Sequence, residues 1–219
     1  MQKHVAFVHT SPVHVATFEG LINAMHPGLK VEHFVEEDLL IDAQRMGADN
    51  PALVTRVQKA MTRAASTGAS LVVCTCSTIG GAAERTPSKG LFVPVRIDRA
   101  MADEAVRLGP KILLVAALES TLGPTKKLLE ESAIALGTVI EVEHLVVAGA
   151  WTHFLRDDRI SYIKAISASI SAVAPHTANV IVLAQASMAP AAQALNSLGI
   201  KILSSPNLGV QSVVAQLNK

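Results

Sequence analysis

Short runs that are apolar at nearly every position alternate along this chain with longer stretches in which apolar residues recur at helical spacing. VAFVH (5–9), LKVEHFV (29–35), LVVCTC (71–76) and GLFVPV (90–95) read as strands. After the first, Thr10, Ser11 and Pro12 supply helix-start chemistry for the stripe Phe18, Leu21, Ile22 and Met25. Asn50 and Pro51 form an N-cap and first-turn pair ahead of Leu53, Val54, Val57, Ala60, Met61 and Ala64, and Gly68 ends that helix. A third helix is expected to start at Ser77 or Thr78, while Glu36, Glu37 and Asp38 read as a solvated loop. The second half repeats the scheme from ILLVAAL (112–118), with a long helix over 158–173 that stops at Pro175 and a last helix near 208–217.

The repetition extends to the residues. VEHFV (31–35) matches VEHLV (142–146), and nearly the same offset pairs ASLVVCTCST (69–78) with ANVIVLAQAS (178–187). It also pairs KGLFVPV (89–95) with LGIKILS (198–204), and HVAFVHTS (4–11) with KILLVAAL (111–118). Segments in register point to an internal duplication. Strands separated by helices, and apolar on both faces, are what parallel βαβ units require. The expected class is therefore α/β: two pseudo-symmetric, doubly wound parallel-sheet lobes with a ligand cleft between them. Residues 1–98 with 205–219 would form the first lobe, carrying Cys76, and 99–204 the second, carrying Gln185; no linker divides them, so the junction near 96–101 should be tight.

Composition narrows the function. Hydrophobic residues make up 50% of the chain but aromatic ones only 3%, so the core is aliphatic and base-stacking platforms are absent. A formal net charge of +1 gives no clustered basic face for nucleic acid or an anionic membrane. No apolar run approaches the ~20 residues of a membrane span and the N-terminus lacks a signal-peptide core, so a soluble cytoplasmic protein is expected. The chain has two cysteines, Cys74 and Cys76, which a reducing compartment leaves as thiols. No C-x-x-C or H-x-x-x-H pair supplies further ligands, so no metal site is expected.

Ligands of open parallel sheets bind beyond the carboxyl ends of the strands. There the chain places compact polar groups: HTS (9–11), CST (76–78), EST (119–121) and QAS (185–187), read as equivalent positions of the two repeats. Hydroxyls and unpaired N–H groups at helix starts can cradle a carboxylate. Thr10, Ser11, Ser77, Thr78, Thr121 and Ser187 are the candidate carboxylate binders, with helix capping the ordinary alternative for the serines. Cys76, at the passage from strand to helix, should have its pKa lowered by the helix N-terminus, whereas Cys74 lies deeper and reads as packing. His9 and His153 are the histidines that can reach a cleft; His33 and His144, equivalent in the repeat, read as strand-surface residues.

At these residues the sequence resembles the aspartate/glutamate/hydantoin racemase superfamily. The resemblance rests on the duplicated lobes, VVCTCST, ILLVAALESTLGPT and the closing ILSSPNLGV, and Cys76-Ser77-Thr78 is similar to that family's first cysteine motif. It implies catalysis without a cofactor by two cysteines, one from each lobe, on opposite faces of a small carboxylic acid's α-carbon, and a homodimer. This chain departs from the pattern at one place: the register sets Gln185 opposite Cys76, where a two-base racemase has its second cysteine. Gln exchanges no protons at neutral pH, which argues against symmetric racemization. Open readings are an isomerase or lyase using the Cys76 thiolate on one face, a nucleophilic Cys76 acting on an unsaturated dicarboxylate, and a non-catalytic carboxylate-binding module. Gln185 as an amide donor to substrate fits any of them.

Overall fold

In the computed structural model, residues 3–173 and 178–218 are described; the helix stop expected at Pro175 lies outside them. The chain divides into two compact units, Met1–Asp98 with Pro206–Lys219 and Arg99–Ser205.

The first unit holds β1 (His4–His9), α1 (Val13–Met25), β2 (Lys30–Val35), α2 (Glu37–Met46), α3 (Pro51–Ala65), β3 (Leu71–Cys74), α4 (Gly80–Glu84) and β4 (Val93–Arg96). Its sheet is wholly parallel, in the order β2-β1-β3-β4. Every residue of β1 and β3 is buried, as strands covered on both faces must be. The α3 helix follows its sequence signal closely. Asn50 accepts a hydrogen bond from the Ala52 N–H, Pro51 opens the first turn, and Leu53, Val57, Ala60, Met61 and Ala64 enter the core.

The second unit runs α5 (Arg99–Leu108), β5 (Lys111–Ala116), α6 (Leu122–Ala135), β6 (Glu141–Val146), α7 (Ala150–Leu155), α8 (Arg159–Val173), β7 (Val180–Leu183), α9 (Ala189–Ala194) and β8 (Lys201–Ser204). Its sheet order, β6-β5-β7-β8, repeats the first. The last helix, α10 (Ser205–Leu217), joins the first unit from Pro206. It approaches so closely that a Cβ on Gly209 would stand 2.3 Å from the Ile97 carbonyl oxygen. Among the described residues no helix is long and apolar enough to cross a membrane.

Two expectations about local structure fail. Glu37 and Asp38 form the first turn of α2, where carboxylates favour the helix dipole, and Glu36 pairs with Arg63. The helix expected at Ser77 or Thr78 starts only at Gly80 and lasts five residues; its first residue packs on Arg96, so closely that a Cβ on Gly80 would meet the guanidinium at 3.0 Å.

Candidate functional site

In each sheet the chain leaves the first strand toward one edge and returns on the other side, so the reversal lies between β1 and β3 and between β5 and β7. Ligands bind at such switch points. Beyond β1 and β3 stand Thr10, Ser11, Thr75, Cys76, Ser77 and Thr78; beyond β5 and β7 stand Ala117 and Gln185. Cys76 and Gln185 each lie two residues past the end of the third strand of their unit, so the structure keeps the equivalence read from the repeat.

Cys76 is partly buried, and its Sγ is a focus of donors. Burial pushes the thiol up, the reverse of the lowering expected from a helix N-terminus; the following helix, α4, begins only four residues on, at Gly80, and is five residues long. Hydrogen bonds from the Thr10 hydroxyl, the Ile79 and Thr78 N–H groups and the Thr78 hydroxyl act the other way. The resting group is therefore a neutral thiol that gains donors when it ionises. Thr10 and Thr78 thus meet at Cys76, and the buried Ser77 hydroxyl beside them has no hydrogen-bond partner. Ser11 is half-buried and does not cap α1: the N-cap position is Pro12, with no side-chain bond. Cys74 points into the aliphatic core, where burial raises its thiol strongly and its Sγ meets the Cys76 carbonyl at 3.6 Å.

The loop rests on a buried ion pair that sequence reading overlooked. Arg96, the last residue of β4, grips Asp98 through Nε (2.7 Å) and Nη2 (3.0 Å), and Nη2 reaches the Ser77 carbonyl at 3.5 Å. Opposite charges two residues apart at the end of an apolar strand were the available signal. A second feature is a line of polar side chains across β2, β1 and the end of β3. His9 Nδ1 lies 2.8 Å from Thr75 Oγ1, and His9 Nε2 lies 2.8 Å from His33 Nδ1. His33 is half-buried: its ring stacks on His9 and Phe7, while its repeat mate His144 is exposed.

In the second unit the Gln185 amide is fully engaged. Oε1 accepts from the Ala117 N–H (3.0 Å), and Nε2 donates to Thr121 Oγ1 (3.1 Å) and to the Leu118 carbonyl (3.5 Å). Gln185 braces the strand ends here rather than presenting free donors. Thr121 is buried at this brace, but the register differs from the expected one: it lies five residues past β5, while Thr10 directly follows β1, since a 3-10 turn over Glu119–Thr121 intervenes. Ser187 is hydrogen-bonded to the Tyr162 hydroxyl at 2.8 Å, and burial pushes that phenol up to about 12. His153 faces Asp158 at 3.7 Å and Glu119 is exposed. Among the described residues no cluster of three His, Cys, Asp or Glu side chains is placed to hold a metal ion.

No protein-family model and no curated protein matches the sequence. Solved structures match across almost all of it. A glutamate racemase isoform from Bacillus anthracis is 14% identical with a TM-score of 0.72, covering 99% of this chain and 82% of that one. Picrophilus torridus aspartate racemase is 12% identical with a TM-score of 0.71, over 99% and 95%. A mutant of arylmalonate decarboxylase is 15% identical with a TM-score of 0.63, over 98% and 93%. Over almost its whole length this chain therefore shares the fold of these two racemases and of arylmalonate decarboxylase.

Proposed function

We propose that the protein is a cofactor-independent isomerase or lyase of the racemase superfamily that works on a small carboxylic acid with a single thiol, Cys76. One observation carries the reading. Of two equivalent strand ends, one bears a thiol ringed by donors and the other bears an amide already spent on its neighbours. A thiol that rests neutral and is stabilised once ionised suits a general acid.

In this scheme a carboxylate leaves the substrate as carbon dioxide, and the electrons of the broken C–C bond stay on the α-carbon. The Cys76 S–H gives its proton to that carbon, the Thr10 and Thr78 hydroxyls and the Thr78 and Ile79 N–H groups hold the thiolate, and water returns the proton. Proton removal from the α-carbon of a β,γ-unsaturated acid by the same thiolate, with the electron pair shifting through the double bond and the proton returned at the γ-carbon, gives the isomerase variant. Gln185 exchanges no proton, so delivery is to one face. The unpartnered Ser77 hydroxyl, with Ser11, is assigned to the remaining substrate carboxylate; Thr121 and Ser187 are the corresponding candidates of the second unit.

The raised Cys76 thiol also suits a second reading, a carboxylate-binding module without turnover. A panel of malonates, amino acids and hydroxy acids, followed by proton NMR in deuterated water, separates the two. The enzyme reading expects α-deuteration of one product enantiomer, lost in Cys76→Ser. Turnover equal in wild type and Cys76→Ser contradicts it, and ligand binding without any turnover favours the module.

A further inference from the structure

The line His33–His9–Thr75 crosses three neighbouring strands at the end of the sheet that carries Cys76. β2 supplies His33, β1 ends in His9, and Thr75 directly follows β3. His9 is fully buried, packed against Phe7 and Phe18, and both its ring nitrogens are bonded at 2.8 Å. The next residue after His9 is Thr10, and the next after Thr75 is Cys76. A bond between His9 and Thr75 therefore joins the backbone that carries the Thr10 donor to Sγ with the backbone that carries Sγ itself.

Two proton assignments fit the far side of Thr75. If its hydroxyl donates to the Val8 carbonyl (3.4 Å), it accepts from a proton on His9 Nδ1 and His9 Nε2 accepts from His33 Nδ1–H; in the other tautomer the Thr75 hydroxyl donates to Nδ1 and His9 Nε2–H donates to His33, and either way both bonds are kept by a neutral ring. Burial, with the nearby His33 and His14, holds His9 down at about 3, so the ring stays neutral in this arrangement at any ordinary pH. His33 Nε2 is left without a hydrogen-bond partner. A polar chain inside an aliphatic sheet gives less burial energy than apolar side chains of the same shape, but a satisfied one specifies one geometry.

We propose that His9 is a positioning residue for Cys76: its bond to Thr75, buttressed by His33, clamps the ends of β1 and β3 so that the Thr10 hydroxyl stays on Sγ. This deepens the single-thiol reading and rests on it for its purpose, but its test needs no substrate.

The test is alkylation of Cys76 by iodoacetamide against pH, read by peptide mass spectrometry, in wild type, His9→Phe, Thr75→Val, the double variant and Thr75→Ser. Phe keeps the ring stack and Val keeps the shape of Thr, so each removes the bond with little change in packing. Losing a hydrogen bond to the thiolate is expected to slow alkylation below the thiol midpoint about tenfold in each single variant. The double variant should be no slower than either single one, since both cut the same clamp. Thr75→Ser, which keeps the hydroxyl, should restore the wild-type rate. Should His9→Phe not fold, Thr75→Val carries the test alone. Equal or faster alkylation in the variants overturns the proposal, because a merely structural role would expose the thiol and speed the reaction. A wild-type Cys76 that is never alkylated overturns it too. Absence of turnover on any acid would instead count against the proposed function while leaving this comparison intact.

Discussion

Acid should destabilise the protein through His9, and the size of the effect can be worked from its burial. Native His9 ionises only near about 3, against 6.5 for an unhindered imidazole. Below 6.5 the unfolded chain therefore binds a proton that the native state refuses. The neutral ring's contribution is complete above 6.5 and is lost progressively as pH falls toward about 3. Each pH unit inside that window is worth ~1.4 kcal/mol, so lowering the pH from 7 to 5 costs about 2 kcal/mol through this ring alone. The perturbation is His9→Phe, which retains the stack with Phe7 and His33 but has no proton to bind. The assay is urea unfolding followed by circular dichroism at pH 7, 6 and 5, with the stability difference between wild type and variant plotted against pH. Groups remote from the ring titrate in both proteins and cancel in that difference, while His33 and His14, which are coupled to His9, are followed separately by the NMR of their ring protons. The variant should gain about 2 kcal/mol on wild type between pH 7 and 5. A difference that stays constant within about 0.5 kcal/mol, or moves the other way, would refute the claim that His9 is held neutral by its surroundings.

Other substitutions probe the supports of the site. Arg96→Met should cost about 3–5 kcal/mol by leaving Asp98 buried and uncompensated, whereas Arg96→Met with Asp98→Leu should recover most of it in the same urea assay. Gly209→Ala should lower stability by about 1–3 kcal/mol or more, since its methyl would meet the Ile97 carbonyl at 2.3 Å; an unchanged melting curve would contradict the close approach of α10. Gln185→Leu should destabilise by about 1–3 kcal/mol, seen as a lower urea midpoint, because it strips the buried Ala117 N–H of its acceptor. If Gln185 instead served the substrate, the same variant would lose turnover with its stability intact.

Much of the fold was legible because it is written in periodicity. Strands buried on both faces, such as LVVC and VIVL, leave uninterrupted apolar runs, and the Asn50-Pro51 pair marks α3 to the residue. The equivalence of Cys76 and Gln185 came from the same source, since duplicated strands carry their register with them. What escaped was decided by contacts between residues far apart in sequence. The α4 helix starts only at Gly80, packed against the guanidinium of Arg96, and at Cys76 burial raises the thiol where a helix N-terminus was expected to lower it. No local pattern announces this. His33 and His144 occupy matching places in matching strands, yet only the first faces another histidine and aromatic rings, so pattern alone assigned both to the surface. The 3-10 turn at Glu119–Thr121 shifted the apparent match of EST with HTS, because a repeat search aligns letters and not strand ends.

In the proposed reaction Cys76, unaided by a second thiol, delivers a proton to one face of a carboxylic acid's α-carbon. The most direct measurement of this step is the configuration and deuterium content of product formed in deuterated water by wild type, Cys76→Ser and Cys74→Ser on whichever acid of the panel turns over. Wild type and Cys74→Ser should give one deuterated enantiomer, and Cys76→Ser a rate at least about a thousandfold lower, the scale at which a positioned acid-base group contributes. Both enantiomers in equal amount from wild type, or an undiminished rate in Cys76→Ser, would contradict it.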